Sequence, residues 1–213
     1  MILGGMGRRG LNAKDWFYGF NARIAERPKR TARILCGPAA ERWLAAEMYG
    51  YLAETLPDDF TCYGEDGTTD LTIYETSEVD GPPTGAWARG RVASIEVKLV
   101  YRWYSEGRVD DYTQTLCSQV LANRDRGSAL NVGFVYGVFA LWPSKREHVR
   151  GNFSEFRSVV SKRIREVCNA SSVPCAKPAL ETVIDPFEAT IGGVRVPFGL
   201  VSQYIRPERA EDI

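Results

Sequence analysis

The sequence has little histidine and no long apolar run. His148 is the single histidine among 213 residues, which excludes a multi-histidine metal centre and a mechanism with separate acid and base histidines. It lies in a charged segment and is expected to be a solvated residue at a helix start. No run of about 18 apolar residues occurs, so no membrane-spanning helix is expected. The apolar stretch after Met1 is too short for a secretory signal.

Disulfide chemistry and two common catalytic motifs are also missing. The five cysteines are widely spread and include no C-x-x-C pair; they are Cys36, Cys62, Cys117, Cys168 and Cys175. Neither a zinc site nor a disulfide framework is indicated, and a reducing, cytoplasmic location is the expectation. The motifs G-x-S-x-G and G-x-x-x-x-G-K-[ST] do not occur, so serine-hydrolase and P-loop interpretations have no support.

The chain has no net charge, but its charges are unevenly distributed. Residues 1–50 carry nine basic and four acidic side chains, and residues 114–170 carry the same numbers. Residues 51–87 between them carry nine acidic side chains and no basic ones. An acidic centre flanked by basic segments suits a cation site that also holds a polyanion. The zero net charge argues against strong nonspecific nucleic-acid binding.

Carboxylates and a lysine are the candidate chemical groups, and two of them share a short apolar segment. In the stretch SIEVKL, residues 94–99, Glu96 and Lys98 are two positions apart. Alternate residues of a strand point to the same face, so these side chains are expected to project together. Upstream, the stretch DGTTDLTIY places Asp70 at the start of another strand. Carboxylates hold hard divalent cations, and a neighbouring ammonium orients or stabilises an attacking hydroxide.

The apolar pattern predicts helices and strands along a single domain. A helix is expected to start around residues 36–41, with Pro38 near its first turn, and to run to about Leu56. The later elements expected are strands over 60–63, 69–76 and 89–104, a helix over 110–123, a buried strand over 131–142, a helix over 152–168 and a hairpin over 190–196. The three parts of the domain are an N-terminal arm or helix (1–36), a core (37–170) and a C-terminal hairpin extension (171–213).

This order of elements, with these acids, resembles the PD-(D/E)XK, or restriction-endonuclease-like, nuclease superfamily. Asp70 matches the first acid of its motif and Glu96-Val97-Lys98 match the (D/E)-x-K element, while Thr69 stands in place of the proline. Segments 37–41 and 66–70 further resemble the Mrr-like branch. The resemblance covers about residues 37–142. It implies an α/β fold with a restriction-endonuclease-like core, in which helices flank a mixed central β-sheet.

The resemblance also implies a Mg²⁺ (or Mn²⁺) site with endonuclease chemistry. Asp70 and Glu96 would hold the cation, with the backbone carbonyl of Val97 as a further ligand. The cation would polarise the scissile phosphate and lower the pKa of a bound water. Lys98 would orient that water or offset charge on the phosphate oxygens. No histidine base is required.

Side chains from two helices are candidates to complete this site. From the first helix, Glu41 fits the glycine-to-glutamate spacing and Glu47 lies deeper on the apolar face; the choice between them is open. From the second helix, Gln114 and Gln119 are candidates because the superfamily often places a glutamine there. Gln119 is favoured because it shares a helix face with apolar residues. An ordinary solvated side chain is the alternative for each of the four.

Two basic clusters are candidate phosphate contacts, although such runs are usually only solvated faces. Their members are Arg27, Lys29, Arg30 and Arg33 before the first predicted helix, and Lys162, Arg163 and Arg165 late in the chain. Four aromatic residues are expected to belong to the core or sheet surface rather than to base-stacking platforms; they are Trp43, Tyr101, Trp103 and Tyr104.

The leading hypothesis is a Mg²⁺-dependent endonuclease that hydrolyses DNA, in restriction, phage defence or repair. RNA as a substrate and a homodimeric assembly are left open, and no membrane partner is expected. The alternatives are a catalytically inactive nuclease-fold binding or structural module, and an α/β ligand-binding protein with an incidental Glu-x-Lys. A divalent-metal titration separates them, because only the first needs a carboxylate-dependent Mg²⁺ or Mn²⁺ site.

Overall fold

A six-stranded mixed sheet is the framework of the computed structural model, which describes residues 11–66, 69–76, 90–104, 106–125, 130–143, 152–171 and 180–206. The strands are β1 (Phe60–Asp66), β2 (Thr69–Glu75), β3 (Arg91–Tyr101), β4 (Leu130–Ala140), β5 (Glu181–Ile191) and β6 (Val194–Ile205). Their order across the sheet is β1-β2-β3-β4-β6-β5. Strands β3 and β4 pair in parallel, and the other neighbouring pairs are antiparallel.

Five helices among the described residues cover the two faces of this sheet. They are α1 (Ala13–Ala25), α2 (Pro28–Leu35), α3 (Ala40–Thr55), α4 (Glu106–Asp125) and α5 (Phe153–Ala170). Helices α1 to α3 pack over one apolar core, and α4 and α5 pack over a second on the opposite face. Helix α4 is the crossover that parallel strands such as β3 and β4 require. No helix in the described part of the chain is long and apolar enough to cross a membrane.

Local side chains fix where three of the helices begin. The Asn12 side chain accepts a hydrogen bond from the Lys14 N–H at 3.0 Å, and the Asn152 side chain accepts one from the Glu155 N–H at 2.9 Å. These bonds satisfy amides that have no partner inside the first turn of α1 and α5. Pro28 begins α2, where its missing N–H is tolerated.

Strand β3 lies between the two cores, and its side chains alternate between them. Ile95, Val97 and Leu99 join the core under α1 to α3, whereas Val100 joins the core under α4 and α5. Because alternate strand residues share a face, Glu96 lies on the same side as Val100, beneath α4. The sequence therefore buries a carboxylate between the sheet and α4, where it needs hydrogen-bond partners.

The predicted α/β fold with a mixed central sheet flanked by helices is confirmed. The helix expected to end near Leu56 is α3, and the four strands expected between residues 60 and 142 are β1 to β4, with their ends shifted by several residues. The predicted helices over 110–123 and 152–168 are α4 and α5, each slightly longer than expected. His148 and Cys175 lie outside the described residues.

The two ends of the chain differ from their predicted roles. Residues 13–35, expected to be part of an arm or short helix, form two helices, and Phe17 and Phe20 of the first are buried in the core. The predicted C-terminal hairpin turns at Gly192 and Gly193, whose φ angles of 57° and 80° favour glycine. It is not an extension, because β6 lies inside the sheet between β4 and β5. Pairing of β6 with β4 joins distant segments, which local patterns do not specify.

Candidate active site

The sheet opens where β2 begins and β3 continues beyond it. The regular pairing of β2 with β3 ends at Leu71 and Ile95, so the next stretch of β3 has no backbone partner in the β2 ladder. Its backbone amides donate to carboxylates instead: the Val97 N–H to Asp70 Oδ2 at 2.7 Å, and the Leu99 N–H to Glu41 Oε2 at 3.1 Å. Two acids from different elements are thus fixed at one short strand edge. We call this place, with Asp70, Glu96, Lys98 and Glu41, the strand fork.

Asp70 and Glu96 are neighbours across the two strands. Leu71 lies opposite Ile95 in antiparallel register, so Asp70, one residue earlier, falls opposite Glu96. Directly opposed residues of an antiparallel pair point to the same face. Lys98, two residues after Glu96, leaves the strand on that face as well, while its ammonium ends at Glu41 of α3, at the strand edge. The structure therefore brings together the three side chains that the sequence predicted to converge.

Glu96 is a buried carboxylate with a close hydrogen bond to one of its two oxygens. Its residue is 1% exposed, and its Oε1 accepts a hydrogen bond from Asn123 Nδ2 at 2.7 Å. Asn123 is itself held by the Thr69 hydroxyl, which donates to Asn123 Oδ1 at 3.1 Å. The second oxygen of Glu96, Oε2, is buried and has no hydrogen-bond partner among the described residues. A buried carboxylate oxygen without a donor is costly and marks a place for a ligand or a proton.

The surroundings of Glu96 raise the pKa of its carboxyl group. Burial, together with the negative charge of Asp70, raises the pKa of Glu96 to about 7. The hydrogen bond from Asn123, the charge of Lys98 and a backbone hydrogen bond from Asp70 oppose this only in part. The ordinary pKa of a glutamate side chain is about 4.3, so an unperturbed Glu is already ionised well below pH 7. A cation placed between Asp70 and Glu96 would remove the mutual repulsion that contributes to the shift.

Close packing of α4 on the sheet carries Asn123 to Glu96. In the β3–β4 register, Glu96 is level with Gly133, and a Cβ at that glycine would lie 2.9 Å from the Leu116 Cγ atom of α4. The missing side chain therefore allows the helix to approach β4 closely. Because Leu116 and Asn123 are seven residues, or about two turns, apart on one helix face, this approach also presents Asn123 to the sheet.

Lys98 is tied to the first turn of α3. Its Nζ donates to Glu41 Oε1 at 3.0 Å, while the other oxygen of Glu41 accepts from the backbone of Leu99. The Lys98 side chain is 12% exposed. Burial by itself lowers the pKa of this ammonium, but the charges of Glu41 and Asp70 outweigh it, so the pKa is raised above its ordinary value. Lys98 is therefore a cation at neutral pH, held in place at the strand fork.

The structure separates the two helix glutamates that the sequence left as alternatives. Glu41 is at the strand fork, whereas Glu47 binds the Arg30 guanidinium through both carboxylate oxygens, at 2.9 and 3.2 Å. In this structure Glu41, and not Glu47, is the helix glutamate at the strand fork. Six residues of helix separate the two side chains by about 9 Å along the axis of α3, which directs Glu47 to α2 instead.

Helix α4 contributes an asparagine that the sequence analysis did not single out. Asn123 contacts Glu96 directly, and Gln119, one turn earlier, has a buried Oε1 with no hydrogen-bond partner among the described residues. Gln114 is exposed and does not share this arrangement. The signal was present in the spacing, since Gln119 and Asn123 are four residues apart and thus lie on one helix face.

Two carboxylates and a backbone carbonyl are the available oxygen ligands for a cation. No group of three or more His, Cys, Asp or Glu side chains in the described parts of the chain is close enough to hold a metal ion. Mg²⁺, however, is commonly bound through one or two carboxylates plus water and substrate phosphate oxygens. The Val97 carbonyl points to the same strand edge as its N–H. With the partnerless oxygen of Glu96, this donor set fits Mg²⁺ or Mn²⁺.

The predicted phosphate-binding residues lie on helices or, for Arg27, just before one, and three of them are engaged in ion pairs; the weakest joins Lys162 to Glu166 at 3.9 Å. Arg30 binds Glu47 and lies over the Trp43 ring, and Arg163 binds Asp110 of α4. The remaining predicted contacts, like Lys162, are exposed; they are Arg27, Lys29, Arg33 and Arg165. Arg30 and Arg163 would have to exchange existing partners in order to bind a phosphate.

Comparison with known proteins does not identify this site. No protein-family model matches the chain, and no curated protein matches it. What the site can do therefore has to be inferred from its own groups. It combines two neighbouring carboxylates, a fixed ammonium beside them and an open strand edge, groups that could serve hydrolysis of a phosphate ester if a divalent cation were bound.

Proposed function

We propose that this protein is a Mg²⁺- or Mn²⁺-dependent endonuclease that hydrolyses phosphodiester bonds of DNA and has a restriction-endonuclease-like core. The observation that carries the proposal is the placement of Asp70, Glu96 and Lys98 on one face of the sheet, at the strand fork. The order of elements agrees with it, since α3, the antiparallel strands β1 to β3, α4 and the parallel strand β4 follow one another along the chain.

Each residue of the strand fork has a role in this proposal. Asp70, Glu96 and the Val97 carbonyl would hold the cation, which when bound polarises a phosphate oxygen and lowers the pKa of a water ligand. Lys98 places positive charge where negative charge develops on the phosphate in the transition state. Glu41 holds Lys98 in place, and Asn123 orients the Glu96 carboxylate. The last two are positioning residues.

The test is cleavage of DNA as a function of metal. Supercoiled, linear and single-stranded DNA are incubated with the full chain in Mg²⁺, in Mn²⁺ and in chelator, next to the variant Glu96→Gln. We expect cleavage of at least one substrate with metal, none in chelator and none by the variant, because Gln keeps the shape of Glu96 but cannot offer a carboxylate to the cation.

Glu188→Gln is the matched control for this test. Glu188 is an exposed carboxylate on β5, the strand at the edge of the sheet opposite to β1. The control should cleave like the wild-type chain. If cleavage continues in chelator, or if Glu96→Gln cleaves as fast as Glu188→Gln, the activity does not come from the strand fork and the proposal is refuted.

A catalytically inactive nuclease-fold binding module is the second candidate. It is favoured by one observation: the groups of the strand fork already bind one another, with Lys98 on Glu41 and Glu96 on Asn123. Such a module would bind nucleic acid without cutting it. Nucleic-acid binding that does not need a divalent metal, together with no cleavage in Mg²⁺ or Mn²⁺, would select this candidate over the nuclease.

A further inference from the structure

A group of aromatic side chains follows the strand fork directly along the chain. Tyr101 ends β3, and Trp103 stacks on it with ring centroids 4.4 Å apart and an interplanar angle of 22°. Tyr104 meets Tyr101 edge to face at 5.4 Å. We call these three residues the aromatic strip. The expectation that they belong to the core or sheet surface is correct for the half-buried Tyr101 and Tyr104, whereas the Trp103 side chain is exposed to solvent.

Trp103 is an exposed indole on a fixed support. It is 41% exposed, whereas the Tyr101 ring beneath it is anchored by its hydroxyl, which donates to the Leu35 carbonyl of α2 at 3.1 Å. Large aromatic side chains are normally buried because each removes a large apolar area from water. A solvent-facing ring that is held flat against a second, anchored ring is pre-organised to stack on a third planar group.

The aromatic strip lies within reach of the strand fork. Lys98 and Tyr101 are three residues apart on β3, roughly 10 Å, so Tyr101 leaves the strand on the face covered by α1 to α3, the side from which Glu41 reaches the strand fork. The Leu99 amide, two residues before Tyr101, is bound by Glu41. The charge of Glu41 also contributes to raising the pKa of both Tyr101 and Tyr104, although burial is the larger cause in each case. A group stacked on Trp103 would therefore lie on the side of the strand fork where Glu41 holds Lys98, close to a phosphate bound by that lysine.

A cation accompanies the aromatic strip. The exposed Arg108, in the first turn of α4, lies with its guanidinium carbon 4.2 Å from the centre of the Tyr104 ring and 5.7 Å from that of Tyr112. Aromatic faces combined with a neighbouring arginine are the chemistry by which proteins bind unpaired nucleotides: the base stacks on the ring, and the cation lies near the backbone phosphate.

We propose that the aromatic strip stacks an unpaired nucleobase next to the phosphate held at the strand fork. The substrate class is then single-stranded DNA, or DNA whose bases are locally unpaired, rather than continuous duplex. This inference rests on the proposed nuclease function. In a continuous duplex the base faces are covered by their neighbours, so Trp103 would have no free face to meet. An unpaired base brings both a planar face for Trp103 and a phosphate.

The experiment measures binding and cleavage separately on Trp103 variants. Fluorescence anisotropy in Ca²⁺ gives affinity for a labelled single-stranded oligonucleotide and for its duplex, and cleavage is measured in Mg²⁺. Trp103→Leu should weaken single-strand binding about 5- to 150-fold and leave duplex binding nearly unchanged. Trp103→Phe should restore most of the affinity. Tyr49→Leu is the control, because Tyr49 is 42% exposed, as Trp103 is, but lies on α3.

A second arm removes the base rather than the ring. An abasic site is moved along the oligonucleotide one position at a time. With the wild-type chain, an abasic site at one position should lower the affinity about as much as Trp103→Leu does. With Trp103→Leu, the same abasic site should lower the affinity no further, since both changes remove the same contact. Additive losses would show that the base and the indole do not touch, and would overturn the proposal.

The outcomes for the aromatic strip and for the nuclease are distinguishable. If Trp103→Leu binds single strands as well as Tyr49→Leu does, the aromatic strip is refuted, while metal-dependent cleavage that is lost in Glu96→Gln still supports the nuclease. If single-strand binding depends on Trp103 but no substrate is cut, the nuclease is refuted and the aromatic strip remains. If Trp103→Leu changes only self-association in sedimentation, the surface binds a second copy of the chain and the proposal is overturned.

Discussion

The strand fork and the outer surface of α1 to α3 use the same residue types in opposite ways. On the outer surface, Arg23 binds Glu54 and Arg30 binds Glu47, each through two guanidinium nitrogens. The Glu54 side chain is 62% exposed, so water serves it as well. At the strand fork, Glu96 is almost fully buried, faces the charge of Asp70, and has one oxygen without a hydrogen-bond partner in the described chain.

The difference shows which acids are placed for stability and which for chemistry. A solvent-exposed carboxylate that is bound by two nitrogens of an arginine has its hydrogen bonds satisfied and needs no further ligand. A carboxylate that is buried beside another acid destabilises the fold when both are ionised, unless a cation or proton joins them. Such perturbed groups concentrate at functional sites. The following predictions separate the two regions, beginning with the largest expected effect.

Asp70→Ala is expected to abolish metal-dependent DNA cleavage and to leave the fold intact or slightly more stable. It removes one cation ligand, and it also removes the charge that opposes ionisation of Glu96. Mn²⁺ should raise the melting temperature of the wild-type chain, because a ligand that binds only the folded state stabilises it, but not that of the variant. The matched change on the outer surface, Glu54→Ala, should keep both cleavage and the response to Mn²⁺.

A wild-type melting temperature that does not respond to Mn²⁺, together with equal cleavage by Asp70→Ala and Glu54→Ala, would contradict this prediction. In that case the strand fork would be no different in function from the outer surface. Asp70→Ala and Glu54→Ala should be compared at the same pH and ionic strength, because the Arg23–Glu54 ion pair is screened by salt.

Lys98→Ala should lower the single-turnover cleavage rate about 10²- to 10³-fold and change DNA affinity little. A fixed ammonium acts on charge that develops in the transition state, and losing one such contact typically has an effect of this size. A lysine that only contacts phosphate would instead weaken binding and reduce the salt slope by about one. Rate and affinity are measured on the same variant across a salt series, and losses in equal proportion would make Lys98 a phosphate contact.

Part of this arrangement could be predicted from the sequence because strand periodicity is local. The two-residue spacing of Glu96 and Lys98, and the strand start at Asp70, were enough to place the three side chains on one face. The choice between Glu41 and Glu47 was not accessible, because it depends on Arg30. That residue belongs to α2, which was not predicted as a separate helix, and it binds Glu47 on the surface.

Long-range contacts account for what the sequence did not reveal. Asn123 reaches Glu96 because α4 packs closely on β4 at Gly133. The spacing from Gln119 places Asn123 on the same helix face, but it does not indicate which strand residue that face meets. The position of β6 beside β4 likewise depends on pairing between segments far apart in the chain. In both cases the information is tertiary, and a local pattern cannot specify it.

Glu96→Gln should stabilise the metal-free protein by roughly 3 kcal/mol at pH 8 and should lose this advantage below about pH 4.5. The pKa of Glu96 is raised from 4.5 to about 7 in the folded chain, so the folded state binds the proton more tightly than the unfolded state. Stability from this group is therefore greatest at low pH and falls as the pH rises from about 4.5 to about 7. A shift of this size corresponds to roughly 3 kcal/mol.

Urea unfolding in chelator measures this effect as the difference between Glu96→Gln and the wild-type chain from pH 4 to pH 8. Using the difference removes the contributions of the other titrating groups, provided that the two chains share them. A difference that is constant with pH would show that Glu96 ionises normally. Glu188→Gln, the exposed control on β5, should show no such pH dependence.

The smallest effect is expected for Glu47→Gln on the outer surface. Glu47 binds Arg30 in a pair whose side chains are 19% and 47% exposed, and such solvent-accessible pairs typically contribute about 0.2–1 kcal/mol, less at high salt. A double-mutant cycle with Arg30→Gln, at low and high salt, measures that coupling.

Cleavage by Glu47→Gln should be unchanged, because both oxygens of Glu47 are held by Arg30, away from the strand fork. If Glu47→Gln instead lost cleavage while Glu41→Gln retained it, Glu47 would be the helix-borne acid of the active site in solution. An acid of the outer surface of α1 to α3 would then take part in the chemistry, and Glu41 of the strand fork would not.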